Sequence, residues 1–123
     1  MGSKGRALTK TGEKKKPTIL VSKQNLDKRF VVAFKYKLQK GYRLVDLEQK
    51  NLKELQNFLD TISEMTVQEV DERYKRKTDK NERPFNGQPI HHYGFGDKFR
   101  IHGIIEEGRF KVIRLDPNHK VHK

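Results

Sequence analysis

The chain lacks cysteine and tryptophan, and it contains no long apolar run. Without cysteine, disulfide bonds and thiolate metal sites are excluded, and a reducing compartment is the default expectation. No apolar stretch approaches the roughly 18 residues that a membrane-spanning helix needs. The basic N-terminus is not followed by an apolar segment, as it would be in a secretory signal. These absences predict a cytoplasmic protein without a membrane partner.

Apolar side chains are scarce, at 33% of 123 residues. A chain of this length and composition can build one modest core, so we expect one folded domain. Since tryptophan is absent, the core must come from seven phenylalanines, four tyrosines and the aliphatic residues.

Positive charge, by contrast, is abundant, with a net charge of +12. A small and strongly basic protein attracts polyanions over long distances. Nucleic acid is the first candidate partner, because neutralised phosphates release counterions and so favour binding. An anionic membrane surface ranks second on charge alone, and we expect no membrane partner. Basic proteins also bind nucleic acid non-specifically, so charge alone does not establish a function.

Residues 1–16, MGSKGRALTKTGEKKK, contain almost nothing that could be buried. They carry six basic residues against Glu13, a net charge of +5, which leaves +7 in the rest of the chain. This composition predicts a disordered tail that serves as a nucleic-acid arm or as a solubilising leader, including one added for expression. We therefore expect a disordered basic tail over residues 1–16 and a single domain over residues 17–123.

In the segment RFVVAFKYKL, residues 29–38, every second residue is large and apolar, and the charged residues fall between them. A period of two with aromatic and β-branched residues predicts a half-buried strand, which ends before Gly41. The apolar face of this strand is predicted to hold Phe30, Val32, Phe34, Tyr36 and Leu38.

Two helix start signals follow the predicted strand. Asp46 and Gln49 match a capping box, and the apolar residues after them recur at three- and four-residue spacing. This pattern predicts an amphipathic helix of about five turns. Thr66 and Glu69 match a second capping box, which predicts a shorter helix that ends near Lys77.

The residue pattern in the last third of the chain predicts a loop followed by strands. Residues 78–90 are turn formers and charges, which argues against regular structure. After them come three strand-like segments, a tight link at residues 106–109 and a turn at residues 116–118. The order β-α-α-β-β-β predicts an α+β fold, in which a helical hairpin covers one face of a small antiparallel sheet.

Alternation along the C-terminal hairpin predicts which side chains share a face. Arg100 and His102 point one way and Ile101 the other, so the apolar side should face the helices. On the next strand, strict alternation places Arg114 on the side of Val112. Arg100 and His102 are then expected on an open, cationic face of the sheet.

Such a face is a candidate surface for RNA. Arginine forks match phosphate groups, and aromatic rings stack on unpaired bases. The alternative is that the face is polar only because one side of a small antiparallel sheet often meets solvent. The candidate nucleic-acid-binding residues are Lys35, Tyr36, Lys37, Tyr93, Arg109, Lys111 and Lys120.

All five histidines fall in the last third of the chain. Imidazole transfers protons near neutral pH, and an RNA strand supplies its own nucleophile, the 2′-hydroxyl. Cleavage then needs proton transfer and cations around the developing charge, with Glu106 or Glu107 as a carboxylate base. We expect no cofactor and no metal, because the adjacent His91 and His92 are poorly spaced to chelate one ion. The candidate catalytic residues are Arg100, His102, Arg114 and His119, and at least three of them are expected on one face.

The element order and the C-terminal pattern resemble the RelE/ParE toxin superfamily. Members end with an arginine-bearing strand, a tight turn, an apolar strand and a terminal histidine-containing basic segment. The counterparts here are residues 99–101, 106–108, 112–115 and 118–122. The C-terminal string also resembles small bacterial and mobile-element proteins of undefined activity that end in F-R-x-x-G…D-P-x-H.

The resemblance to the toxins implies a metal-independent ribonuclease that cuts mRNA on the ribosome. It carries Arg100 and His119 over as catalytic residues, and it puts His122 where many relatives have tyrosine. Some members inhibit gyrase instead, so the fold leaves the reaction open. The turn at residues 116–117 and the long loop at residues 78–90 depart from the superfamily pattern.

Three hypotheses follow for the function. The first is a toxin-type endoribonuclease with RNA or the ribosome as partner and an acidic antitoxin as a further partner. The second is a non-catalytic module that binds RNA, DNA or the ribosome. The third is a mobile-element accessory protein that binds another protein. Oligomeric state and substrate sequence are left open.

Overall fold

The computed structural model describes residues 28–78 and 80–121. The predicted tail over residues 1–16 lies outside the described residues, as does His122. The described residues contain a mixed sheet, two helices and their connections, which confirms the expected α+β class.

Within the described residues, five strands form the sheet. In chain order they are β1 (Val32–Ala33), β2 (Lys75–Arg76), β3 (His91–Phe95), β4 (Phe99–Glu106) and β5 (Arg109–Asp116). Helices α1 (Gln49–Ile62) and α2 (Val67–Tyr74) connect β1 to β2. The strands lie in the sheet order β1-β5-β4-β3-β2. All pairings are antiparallel except that of β1 with β5, which is parallel.

The first strand is shorter than predicted for residues 29–38. After β1 the chain leaves the edge of β5 and returns at Gln39, whose N–H donates to a β5 carbonyl at 3.0 Å. Tyr36 packs on the opposite side of the sheet from Val32, and Phe34 is 49% exposed. The period-two pattern fails here because the chain crosses the sheet edge instead of running along it.

The first helix begins later than predicted. Its N-terminal cap is Glu48, whose N–H donates to the side-chain oxygen of Asn51 at 3.3 Å. Asp46 belongs to a preceding 3₁₀ turn, where its carboxylate accepts a hydrogen bond from the N–H of Arg43 at 3.0 Å. The prediction that Asp46 caps the long helix is therefore wrong, since its carboxylate is used one turn earlier.

The second capping box is confirmed. The N–H of Glu69 donates to the hydroxyl of Thr66 at 3.2 Å, and the N–H of Thr66 donates to the Glu69 carboxylate at 2.9 Å. Helix α2 ends at Tyr74 rather than near Lys77, because the next two residues pair with β3 as strand β2.

The helices cover one face of the sheet and form the main core with it. Aromatic residues dominate this core, with the rings of Phe58 and Phe95 stacked at 4.1 Å and those of Phe30 and Tyr93 edge to face at 5.3 Å. The buried members are Phe30, Leu55, Phe58, Ile62, Val70, Tyr93, Phe95, Phe99, Ile101, Phe110, Val112 and Leu115.

A bulge changes which residues of β5 share a face. His102 lies opposite Arg114, but the next residue of β4, Gly103, lies opposite Val112, so Ile113 is an extra residue. An extra residue in one strand shifts the following side chain to the other face. Arg114 therefore lies on the face of His102, and its predicted placement with Val112 is wrong.

A loop covers part of the face of the sheet turned away from the helices, here called the second face, and leaves Arg76 exposed and Arg100 partly exposed. Residues 80–90, the covering loop, lie over it. The expectation of an open cationic face is therefore wrong, because the apolar residues on this face require burial. A second apolar cluster consists of Ile90, Ile104 and Ile113, with Tyr36 and Phe85 packed against it.

Candidate nucleic-acid interface

Arg114 is the centre of a hydrogen-bond network on the second face. Its Nε donates to Nδ1 of His102 at 2.6 Å, and a terminal nitrogen donates to the Gln39 side chain at 3.3 Å. The other terminal nitrogen forms an ion pair with Glu82 of the covering loop. Arg114 is 8% exposed and His102 is 0% exposed. These two candidate catalytic residues are thus enclosed between the sheet and the covering loop.

Glu82 also binds a second histidine. Nε2 of His92 lies 2.8 Å from the Glu82 carboxylate, and the His92 ring stacks on that of His102 at 3.9 Å. A buried guanidinium is costly unless a partner neutralises it. The Glu82 carboxylate supplies the negative charge that neutralises Arg114. The same side chain connects the covering loop to β3 and β5.

Two arginines meet above the glycine of β3. In the register, Gly94 lies opposite Arg100, and Arg76 lies opposite His92. Nε of Arg76 and a terminal nitrogen of Arg100 are 2.7 and 2.8 Å from the point that a β-carbon on Gly94 would occupy. We call Arg76 and Arg100 the arginine pair. The missing side chain at Gly94 is what allows the two groups to approach.

The arginine pair carries uncompensated charge. Within residues 28–78 and 80–121, neither guanidinium forms an ion pair. Burial lowers the pKa of Arg100, the charge of Arg76 lowers it further, and Asp116 acts in the opposite direction. One terminal nitrogen of Arg100 donates to the Phe99 carbonyl at 3.1 Å, and the remaining donors of the two guanidinium groups are suited to a phosphate group, which arginine binds in a bidentate manner.

Asp116 builds a turn next to the arginine pair. Its buried carboxylate accepts hydrogen bonds from the N–H groups of Lys120 and Val121, at 3.0 and 2.8 Å. The N–H of His119 donates to the Asp116 carbonyl at 3.4 Å. Since Asp116 lies opposite Arg100, the C-terminal turn (residues 117–121) starts beside that arginine. The expected turn after β5 is therefore present, and it carries His119 and Lys120.

Lys111 lies at the other end of the β4–β5 hairpin and is 3% exposed. A hydrogen bond to Glu107 raises the pKa of Lys111 and lowers the pKa of Glu107. Tyr36 donates a hydrogen bond to Glu106, which lowers the pKa of that carboxyl, and Lys35 lies 3.6 Å from it. Carboxylates held in their charged form are weak proton acceptors, so this cluster fits a structural role better than that of a general base.

Tyr93 lies on the helix side of the sheet. It is 1% exposed, and its hydroxyl donates to Asp71 at 2.7 Å. Burial and this hydrogen bond raise the pKa of the Tyr93 hydroxyl. Its expected position beside the cationic face is wrong, because alternation along β3 places its ring on the helix side, in the main core.

The remaining predicted residues are dispersed. Lys35, Lys37, Arg109 and Lys120 are exposed, with Arg109 at the hairpin turn and Lys120 in the C-terminal turn. The candidate catalytic residues divide differently. Arg100, His102 and Arg114 share the second face as expected, whereas His119 lies in the C-terminal turn. Their catalytic roles stay predictions.

Sequence reasoning missed the residues that organise the site. Arg76 was expected in the last turn of a helix, and Glu82 was one charge among many in an irregular loop. Gly94 lies within one of the strand-like segments, where a glycine indicates close approach by another group. That signal was present in the sequence and identifies the position of the arginine pair.

The described residues contain no group of three or more histidine and carboxylate side chains placed to hold a metal ion. In the same part of the chain, no helix combines the length and apolar character required to cross a bilayer.

No protein-family model, no curated protein and no solved structure matches this chain. The resemblance to the RelE/ParE toxins therefore stays a prediction.

Proposed function

We propose that the protein is a small RNA-acting protein, which binds the RNA backbone through the arginine pair and the C-terminal turn. The observation that carries this proposal is the convergence of Arg76 and Arg100 above Gly94, at 2.7 and 2.8 Å from one point. Two positively charged guanidinium groups that approach one point so closely repel each other, and a bound phosphate offsets this repulsion. Lys120 adds a cation within the adjacent turn.

The net charge of +12 supports a polyanionic partner. Single-stranded RNA suits a short, localised patch, because its flexible backbone can bring one or two phosphates to the arginines. The enclosed His102 and Arg114 have a supporting role in this proposal. They fasten the covering loop, and with it the second face, on which Arg100 is positioned.

A second candidate function is metal-independent RNA cleavage at the same patch. His119 favours it, because this histidine follows Asp116, the strand partner of Arg100. The RNA 2′-hydroxyl would attack the adjacent phosphate, the arginine pair would stabilise the developing charge, and His119 would transfer the proton. The products would be a 2′,3′-cyclic phosphate and a free 5′-hydroxyl.

Binding is tested with a fluorescently labelled single-stranded RNA oligomer over a series of salt concentrations. The double substitution Arg76→Gln/Arg100→Gln should weaken binding and reduce the salt slope by about 1.4, since each single-strand phosphate contact contributes about 0.7. Lys50→Gln/Lys53→Gln is the matched control, as it removes the same charge from the exposed side of α1. Equal effects of the two double variants would mean that net charge alone drives binding.

Cleavage is tested on the same oligomer in the presence of a chelator. His119→Gln should abolish product formation while leaving RNA affinity within about twofold, because a proton-transfer group contributes mainly to the chemical step. If the oligomer stays intact after prolonged incubation with the unsubstituted protein, cleavage is excluded and binding is the remaining function. A purified acidic protein that binds Arg76→Gln/Arg100→Gln as well as the unsubstituted chain would favour a protein-binding accessory role instead.

A further inference from the structure

A cavity of about 320 Å³ lies between the second face, the covering loop and the chain that follows β1. It is separate from the arginine pair, and the proposed function makes no use of it. A cavity of this size is at the lower end of the range for small-molecule sites, so it admits one small ring system and little more.

One wall of this cavity is apolar. Ile90 and Ile113 belong to the second apolar cluster and are 8% and 5% exposed. Phe85 of the covering loop completes the wall, and its ring is held edge-on against Tyr36 with centroids 5.0 Å apart. A fixed aromatic ring beside aliphatic side chains is a suitable surface for a flat ring, which stacks in a defined geometry.

The rim of the cavity is cationic. Lys37 and Arg83 line it and are exposed, and neither forms an ion pair within the described part of the chain. Lys37 comes from the segment after β1 and Arg83 from the covering loop, so the two charges approach the cavity from different elements. This arrangement provides a position for a phosphate outside the apolar wall.

A single amide lies between the apolar wall and the cationic rim. The side-chain oxygen of Gln39 accepts a hydrogen bond from Arg114 at 3.3 Å, and the backbone N–H of Gln39 donates to Ile113 at 3.0 Å. The bond to Arg114 engages the side-chain oxygen and leaves the NH₂ group of Gln39 as a donor. Arg114 and Gln39 both line the cavity, so this donor can meet an acceptor on the edge of a bound ring.

We propose that this cavity binds one unstacked nucleobase, with the phosphate of the same nucleotide on Lys37 and Arg83. The inference rests on the proposed function, to which it adds a site for an unpaired base. The apolar wall suits the face of a base, the amide donor suits its edge and the two cations suit the phosphate, whereas an inorganic anion would use the cations alone. The RNA of the proposed function would then be bound as a single strand, since a base in a duplex cannot enter the cavity.

The direct test is a titration of the ¹⁵N,¹³C-labelled full chain with AMP, UMP, adenosine and inorganic phosphate, followed by NMR. AMP or UMP should shift the side-chain amide signals of Gln39 and the methyl signals of Ile90 and Ile113. Adenosine should shift the same signals at higher concentration, because it lacks the phosphate. If phosphate alone reproduces all the shifts, or if neither nucleotide moves the Gln39 amide at millimolar concentration, the proposal is wrong.

Two substitutions at the rim separate binding from folding. Lys37→Gln and Arg83→Gln should each weaken AMP binding about tenfold, the value of one charge-assisted contact, and should leave adenosine binding unchanged. Lys40→Gln is the matched control, because Lys40 is an exposed lysine near Gln39 that does not line the cavity. Equal weakening by Lys40→Gln would overturn the proposed phosphate position.

The base site and the arginine pair can fail independently. If AMP does not shift the Gln39 signals while the RNA affinity and its salt slope are as predicted, only the base site is wrong. Normal AMP binding in Arg76→Gln/Arg100→Gln, combined with loss of RNA affinity, would support both. RNA binding that is insensitive to the arginine pair would contradict the proposed function, whatever the result with AMP.

Discussion

Two glycines in neighbouring strands have different physical roles. A β-carbon on Gly103 would lie 2.3 Å from the backbone oxygen of Lys111 and 2.9 Å from the Phe110 ring, both of which are fixed in the sheet and core. A β-carbon on Gly94 would meet only the ends of two arginine side chains. Gly103 therefore allows β4 and β5 to pack closely, and Gly94 allows the two arginines to approach each other.

Alanine substitutions at these glycines should separate the two roles. Gly103→Ala should lower the free energy of unfolding by about 1–3 kcal/mol, the usual cost of overpacking, whereas Gly94→Ala should stay within about 0.5 kcal/mol. Gly94→Ala should nevertheless weaken RNA binding, because its methyl group displaces the guanidinium groups. Urea denaturation and RNA anisotropy measure the two effects, and a loss of stability without a loss of affinity in Gly94→Ala would contradict this assignment.

Glu82 is the residue whose charge the enclosed network depends on. Its side chain is 9% exposed, and its carboxylate contacts both Arg114 and His92. Glu82→Gln should lower the free energy of unfolding by about 3–5 kcal/mol, because it leaves a buried guanidinium without its counter-charge. Urea denaturation measures the loss.

Glu64→Gln is the control for Glu82→Gln, since the Glu64 side chain is 85% exposed and its ion pair with Arg29 spans 4.0 Å. That substitution should change stability by less than about 0.5 kcal/mol. Similar denaturation midpoints for the two variants would mean that the covering loop contributes little to the fold.

At the scale of elements, regular patterns were predictable and local irregularities were not. The apolar periodicity of α1 and the Thr66–Glu69 capping box identify both helices. The bulge at Ile113 reverses the face of Arg114, and an extra residue in one strand leaves no trace in that strand's own sequence. Only the pairing with β4 defines it, so alternation alone assigned the wrong face.

The capping box of α2 offers a prediction at this scale. Thr66→Ala removes the side-chain acceptor that lies 3.2 Å from the N–H of Glu69. The loss of such a cap should lower the free energy of unfolding by about 1 kcal/mol. Thr61→Ala is a matched control, because the Thr61 hydroxyl only donates to a carbonyl within α1, and its loss should cost less than about 0.5 kcal/mol. Urea denaturation of both variants decides whether the cap stabilises the helix or merely marks its start.

For the whole molecule, the sequence predicted one layer of cover and the structure has two. The helices on the first face follow from their 3.6-residue period, but the covering loop has no period. It is held by Glu82 and by the apolar contacts of Phe85, and Glu82 is one charged residue among several in this loop. The α+β class could therefore be predicted, whereas the burial of His102 and Arg114 could not.

A partly buried histidine on the helix side of the sheet influences how stability responds to acid. His91 begins β3 on the helix side, and its pKa is lowered from 6.5 by burial and by the charge of Lys75, with His92 adding to this and Asp71 opposing it. The unfolded chain therefore binds a proton at this histidine at a higher pH than the folded chain does. Stability should fall as the pH decreases below 6.5, and His91 contributes nothing to the pH dependence well above that value.

His91→Gln should remove this part of the pH dependence. Its free energy of unfolding should fall less than that of the unsubstituted protein when the pH decreases from about 7.5 to about 5, since glutamine does not titrate. Lys75→Gln should raise the pKa of His91 in an NMR titration, because it removes the nearby positive charge that disfavours the imidazolium form. If Lys75→Gln leaves that pKa unchanged, then burial alone keeps His91 neutral, and the charge of β2 does not influence the core side of the sheet.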